Sequence, residues 1–242
     1  MVSQVVTHLG RMAGHDEIVA ILGSEILSGA RPPGSRIPSA AELYERFGVS
    51  RMLLREVTKT LAAKGMITAK TRVGTTVLPS EYWNWFDPDV LSWRVQLGLD
   101  PDLFGHLAEM RGGVEPVAAA LAARRRTSAH IAQMRDALVR MASAGTDRRA
   151  FADADLRFHI AVAVASGNPL FRSFANVIET ALGASLSLSA PIQLPEIDKI
   201  VGRHAAIADA IEAGDAAAAQ RAMVSVIDDG LDRVVRQRPQ SI

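Results

Sequence analysis

Cysteine is absent from the 242 residues, which excludes disulfides, thiolate zinc sites and a cysteine nucleophile. Neither sign of charge is in excess. Lys+Arg 27 stand against Asp+Glu 26, a formal +1, so net charge argues neither for nor against nucleic acid. No apolar run is long enough to span a bilayer. The first residues, MVSQVVTHLGRMAGHDE, lack the charged-then-apolar layout of a signal peptide. A soluble, cytoplasmic protein with no membrane partner is the expectation. There is no fixed internal period and no hydrolase signature of the H-E-x-x-H or G-x-S-x-G kind. Aromatics make up only 5%. What is plentiful is aliphatic: 48% of the chain is hydrophobic, enough for one large core or two small ones.

The charge is spread unevenly. Residues 1–80 hold ten Lys/Arg against six Asp/Glu, a net of +4, which leaves −3 for the remainder. That asymmetry suggests two modules with different partners. In the basic third, His15 to Ser28 reads as a helix with Ile18, Ile21, Leu22 and Ile26 on one face. Gly29 and Pro32-Pro33-Gly34 end it. Ser39 and Glu42 form an S-x-x-E capping box, so a short second helix starts there and closes near Phe47-Gly48. Ser50 is an N-cap for a third helix running to about Lys64, with Gly65 as its stop.

At about 100° per residue, Leu54, Val57 and Leu61 of the third helix share one side. Arg51, Arg55 and Lys59 share the other. A short helix, a glycine turn and a cationic helix make a helix-turn-helix, whose first turn enters the major groove. Arg51 is placed to read guanine edges, and Arg55 to read a base or hold a phosphate. Residues 66–70 and 75–78 read as two short strands with Thr71 to Gly74 as the turn, a wing carrying Lys70 and Arg72. The candidate DNA contacts are Ser50, Arg51, Met52, Arg55, Lys59, Arg72 and Gly74, and double-stranded DNA is the expected partner.

Five of the twelve aromatics fall within 82–93, including all three tryptophans. With Asp87-Pro88 as a helix start, this stretch reads as an aromatic staple packing a linker onto a domain. From Pro101 to Arg236 there is no strand alternation. Six helical stretches follow instead, at roughly 101–125, 127–143, 147–166, 168–188, 194–213 and 215–236. The fold class is therefore mainly α. An N-terminal winged helix-turn-helix spans 1–79, an aromatic linker with a first junction helix 80–100, and an all-helical bundle, large enough to enclose a pocket, 101–242.

Asp155 and His159 are i,i+4 on one inward helix face, and a polar pair there needs a partner. It can be half of a metal site. It can equally be a carboxylate–imidazole hydrogen bond, with His204, two helices on, an unrelated core histidine. Arg111 reads as an i,i+4 surface pair with Glu115.

Pro33-Gly34, Ile37-Pro38-Ser39, Glu42-Leu43, the run GVSRMLLREV from Gly48 to Val57, Leu61, Gly65 and Gly74-Thr75…Val77 resemble the winged helix of the GntR superfamily. The family often has arginine where Ala41 stands, and reads Arg-Gly where Val73 precedes Gly74. The later motifs Arg111-x-x-x-Glu115-Pro116, Asp155-x-x-Phe158-His159, Ser166-Gly167-Asn168-Pro169, His204-x-x-Ile207 and Gly214-Asp215 are similar to the FCD domain of the FadR branch. The resemblance implies a homodimeric, ligand-responsive transcription regulator, most often a repressor, and not an enzyme. Metal-binding FCD members hold a divalent ion, often zinc or nickel, with one Asp and three His. Asp155, His159 and His204 match three of these ligands, and Val226 stands where the last histidine is expected. Arg111, by the same resemblance, faces the pocket and grips an effector carboxylate. WNWFDPDVLSW followed by the Arg111 helix looks most like regulators of sugar-acid catabolism, which implies an aldonate or similar effector. The competing expectation is a metal-dependent enzyme acting on a small hydroxy acid.

Overall fold

The computed structural model describes residues 13–70, 74–98, 101–175 and 194–236. They form two units, Met1–Gly98 and Leu99–Ile242.

The N-terminal unit begins with α1 (His15–Leu27). Its buried stripe is Ile18, Val19, Leu22, Gly23 and Ile26. Ile21, expected on that stripe, is only half-buried. The stripe is turned because Trp93 packs on Gly23, where a Cβ would sit 2.4 Å from the ring. Helix α2 (Ala40–Phe47) carries the capping box in full. Ser39 Oγ accepts from the Glu42 amide at 3.3 Å and Glu42 Oε2 accepts from the Ser39 amide at 2.7 Å, which satisfies two otherwise orphan donors. Gly48 closes the helix at φ 67°. In α3 (Arg51–Ala63), Ser50 Oγ accepts from the Leu53 amide, and Leu54, Val57 and Leu61 are buried.

Strands β1 (Ile67–Lys70) and β2 (Gly74–Val77) pair antiparallel with Ile67 opposite Val77. Gly74 is thus the first residue of β2, not the end of the turn. The tip, with Arg72, lies outside the described residues. Residues 34–37 run along the other edge of β2, with Arg36 bridged to Thr76.

The aromatic segment is not a free linker. After a 3-10 turn at Ser80–Tyr82, α4 (Pro88–Gln96) starts on Asp87, which caps the Asp89 and Val90 amides. Val90 and Trp93 of α4 belong to the same apolar core as α1 and α3. Buried Lys64 binds Asp87 and Asp89, each at 2.7 Å, and lies 5.4 Å from the Trp93 ring centre. The segment read as a separate junction over 80–100 is therefore part of the N-terminal unit up to Gly98.

Every element described in the second unit is a helix: α5 (Pro101–Arg125), α6 (Ser128–Ser143), α7 (Arg148–Ala165), α8 (described over 169–175), α9 (Leu194–Ala213) and α10 (Ala216–Arg236). The rest of the 168–188 stretch lies outside the described residues. Helix α5 packs on α7, α9 and α10, while α6 bridges α7 and α9. Alanines fill the inner faces (Ala119, Ala122, Ala154, Ala161) and let the helices approach closely around Met134, Phe158, Ile207 and Met223. Val226 of α10 is buried in that core. Pro116 sits inside α5; it removes one helical hydrogen bond directly after Glu115. Among the described residues no helix is long and apolar enough to cross a membrane.

Candidate functional site

Two sites stand out, one in each unit. In the first, the cap at Ser50 starts α3 so that Arg51, Met52 and Arg55 point outward, with Met52 78% exposed. Burial of Leu54, Val57 and Leu61 holds the opposite side. The exposed side opens on a cleft lined by Arg36, Ser39, Arg51, Arg55, Gly74 and Thr75, among others. Ser50 is exposed, with its oxygen spent on the Leu53 cap. Lys59, expected as the third cation, reaches sideways to Glu56 at 2.8 Å and does not line the cleft. Capped and rigid, α3 presents cations at its first turns, the geometry with which a reading helix meets base edges and phosphates.

The second site lies inside the helical unit, where α5, α7 and α9 meet. Arg111 and Glu115 come from α5, Asp155 and His159 from α7, and His204 from α9. Arg111, Asp155 and His204 are buried. The guanidinium of Arg111 donates through Nε to Glu115 Oε1 at 2.6 Å and through Nη2 to Oε2 at 3.3 Å. The same Nη2 lies 3.3 Å from His159 Nε2, which can only accept from it. Nδ1 of His159 lies 2.7 Å from Glu115 Oε2.

His204 is oriented by its backbone neighbour. Its Nδ1 lies 2.8 Å from the Ile200 carbonyl oxygen, which accepts only, so Nδ1 carries a proton; in the neutral ring Nε2 then presents a lone pair. That lone pair lies 2.9 Å from Asp155 Oδ1, with no hydrogen bond made by the nitrogen. Two acceptors held this close need a cation between them, either a proton or a metal ion. His159 Nδ1 likewise makes no well-directed hydrogen bond. One ligand atom from each of Asp155, His159 and His204 lies within 4.8 Å of the others. Donors about 2 Å from one ion fit that spacing after small movements. The donor set, one carboxylate and two imidazoles with a backbone-oriented ring, fits a zinc- or nickel-type ion.

Electrostatics agree with a site that keeps its carboxylates charged. Burial pushes the Glu115 carboxyl up, but Arg111 and His159 outweigh it and hold the group at about 2. Burial likewise raises Asp155; His204, His159 and Arg111 hold it well below the usual carboxylate range. Beside the cluster lies a small cavity of about 20 Å³. Arg111, Glu115 and His159 form its polar corner, and Val114, Phe174 and Met223 contribute to its apolar walls.

The structure corrects three sequence expectations here. The alternative in which the Asp155 side chain bonds His159 fails: Asp155 Oδ1 and His159 Nε2 are 3.9 Å apart, and Asp155 faces His204 instead. His204 is not an unrelated core residue. Arg111 pairs with Glu115 as the i,i+4 spacing foresaw, yet in the interior rather than on the surface. Glu115 itself, missed as a site residue, touches both Arg111 and His159 through its carboxylate. Its position four residues from Arg111 was the available signal.

Comparison with known proteins matches both units. Residues 15–77 match the family model of bacterial regulatory proteins, gntR family, and residues 106–229 match the FCD domain. The galactonate operon transcriptional repressor of Escherichia coli is 36% identical over 219 residues, 90% of this chain and 96% of that protein. The uncharacterized HTH-type transcriptional regulator YieP of E. coli is 32% identical over 208 residues, 85% of this chain and 89% of that protein. Among solved structures, Lar of Listeria monocytogenes shares the fold with a TM-score of 0.64 at 18% identity, covering 92% of this chain and 97% of that one. The competing expectation of an enzyme falls with these matches. The chain belongs to the gntR family of bacterial regulatory proteins, with an FCD domain behind its winged helix, and is a transcription regulator.

Proposed function

We propose that this regulator is a repressor of sugar-acid catabolism. As a homodimer it holds a palindromic operator, one α3 per half-site. It lets go when a small carboxylate such as an aldonate enters the pocket beside Arg111. The observation that carries this reading is the buried charge of the second site. Arg111, Glu115 and Asp155 sum to one negative charge when both imidazoles are neutral. A divalent ion held by Asp155, His159 and His204 turns that into one positive charge, and a monocarboxylate then restores neutrality. Burial makes an unbalanced charge costly, so the loaded pocket favours an anion. The ion supplies Lewis acidity toward carboxylate and hydroxyl oxygens. Val226 would offer such an ion no donor, so Asp155, His159 and His204 are the residues that would hold it. Similarity to the galactonate operon repressor supports the aldonate class.

The test is a gel shift with promoter DNA, titrated with aldonates in metal-supplied buffer. Retention of the complex at every aldonate concentration would sink the effector assignment. Arg51→Ala is expected to weaken specific operator binding by about 1–3 kcal/mol, roughly 5- to 150-fold; an unchanged operator affinity would remove Arg51 from the reading surface. Arg111→Ala is expected to raise the aldonate concentration needed for release at least ~10-fold, since a bidentate charged contact is lost. An identical dose–response would show that Glu115 keeps Arg111 from the ligand.

A further inference from the structure

The cations of the N-terminal unit differ sharply in what already engages them. Arg31 donates to Glu25 at 2.6 Å, and Arg46 takes the other oxygen of the same carboxylate. Lys64 is buried between Asp87 and Asp89. Lys59 and Glu56 are both exposed and cancel each other's charge. Among the described residues only Arg36, Arg51 and Arg55 line the cleft without an ion pair. Glu42, which also lines it, has its carboxylate turned to the Ser39 amide at the start of α2.

Arg36 is anchored through the backbone of the wing. It lies opposite Thr76 in a bridge, with hydrogen bonds on either side of it. The Val77 amide donates to the Ser35 carbonyl, and the Ile37 amide donates to the Thr75 carbonyl, each at 2.9 Å. The base of its side chain is therefore fixed to the wing sheet, across the cleft from the first turns of α3. The side chain itself is exposed. An anion track with free cations on both walls fits a phosphodiester backbone, and a pre-fixed arginine gives up little freedom on contact.

We infer that Arg36 is a phosphate-backbone contact of this regulator, and that Lys59 is not. The inference rests on the DNA-binding reading of the cleft and adds a residue to it. Arg36 positions the duplex against the wing side of the cleft, whereas Arg51 reads bases; its contribution is independent of sequence.

The experiment is fluorescence anisotropy of the full-length protein on two labelled duplexes of unrelated sequence, each about 30 base pairs, between about 50 and 200 mM salt. Each phosphate contact contributes about −0.9 to the slope of log affinity against log salt. Arg36→Ala is expected to make the slope shallower by about 0.9 on both duplexes, so that the affinity gap to wild type changes about 3-fold across that range. Arg36→Lys, which keeps the charge, retains the wild-type slope; an equal loss in both variants would mark a structural role and overturn the inference. Lys59→Ala is expected to leave the slope unaltered. A wild-type slope in Arg36→Ala, or a fall in slope with Lys59→Ala alone, overturns the assignment while the DNA-binding reading stands. A wild-type protein with no salt-dependent affinity for either duplex overturns both.

Discussion

Replacing His159 by alanine is expected to lower metal retention by at least ~100-fold and to abolish release by aldonate, with DNA affinity intact. Loss of a residue that merely orients a metal ligand costs 10- to 100-fold in affinity in general, and His159 is itself one of three donors around the candidate site. The neighbouring carboxylate, Glu115, is held by two bonds from Arg111. Val226 is apolar, and Arg111 is a cation. The same change removes the ring that lies 2.7 Å from Glu115 and 3.3 Å from Arg111, so the polar corner of the pocket loses its shape as well. Arg51, Arg55 and Arg36 belong to the other unit, which is why the duplex should still bind. Elemental analysis after dialysis, paired with a gel shift with and without aldonate, reads both effects. Equal metal content in wild type and variant, or a wild-type protein without metal, defeats the proposal of a metal-loaded pocket. Intact release in a metal-depleted variant defeats the link between metal and effector.

The sequence was most informative where the physics is local. The box of Ser39 and Glu42, the cap at Ser50, and the face of Leu54, Val57 and Leu61 each depend on residues within one or two helical turns, and each is found as expected. The glycine breaks after α1, α2 and α3 work the same way. Partners distant in the chain were not legible. Lys64 finds Asp87 and Asp89 more than twenty residues on, and Trp93 fills the notch at Gly23. Periodicity assigns a residue to a face but does not say what that face meets. Hence Arg111 and Glu115 read equally well as a surface pair, and only the approach of α7 makes them a buried one. Helical phase also put Lys59 beside Arg51 and Arg55, while the reach of its side chain to Glu56 decides its fate. Arg36 carries no such signal. Its importance comes from a bridge to a strand forty residues later.

Gly65→Ala tests how firmly the reading helix is seated, and its expected cost is about 3–4 kcal/mol in the N-terminal unit. Gly65 follows Lys64, the C-cap of α3, and has φ 72°, a conformation that costs an alanine about 1–2 kcal/mol. The remainder is steric. A Cβ there would lie 2.1 Å from the Tyr82 carbonyl oxygen, and backbone atoms cannot rotate away as a side-chain tip can. Relief requires the end of α3 and the Ser80–Tyr82 turn to part. The hydrogen bond from the Asn84 amide to the Lys64 carbonyl, 2.9 Å, then stretches. So do the two contacts from buried Lys64 to Asp87 and Asp89. All three tryptophans, Trp83, Trp85 and Trp93, belong to this unit, so their fluorescence follows its unfolding separately from that of the helical unit. For about 100 residues the expected fall in melting temperature is roughly 12–30 °C. Gly29→Ala serves as the control. Its φ is 79°, but a Cβ there meets nothing within 4 Å, so it should show the backbone cost alone. Equal losses in the two variants would mean that the approach of Tyr82 to α3 contributes nothing to the seating of the helix.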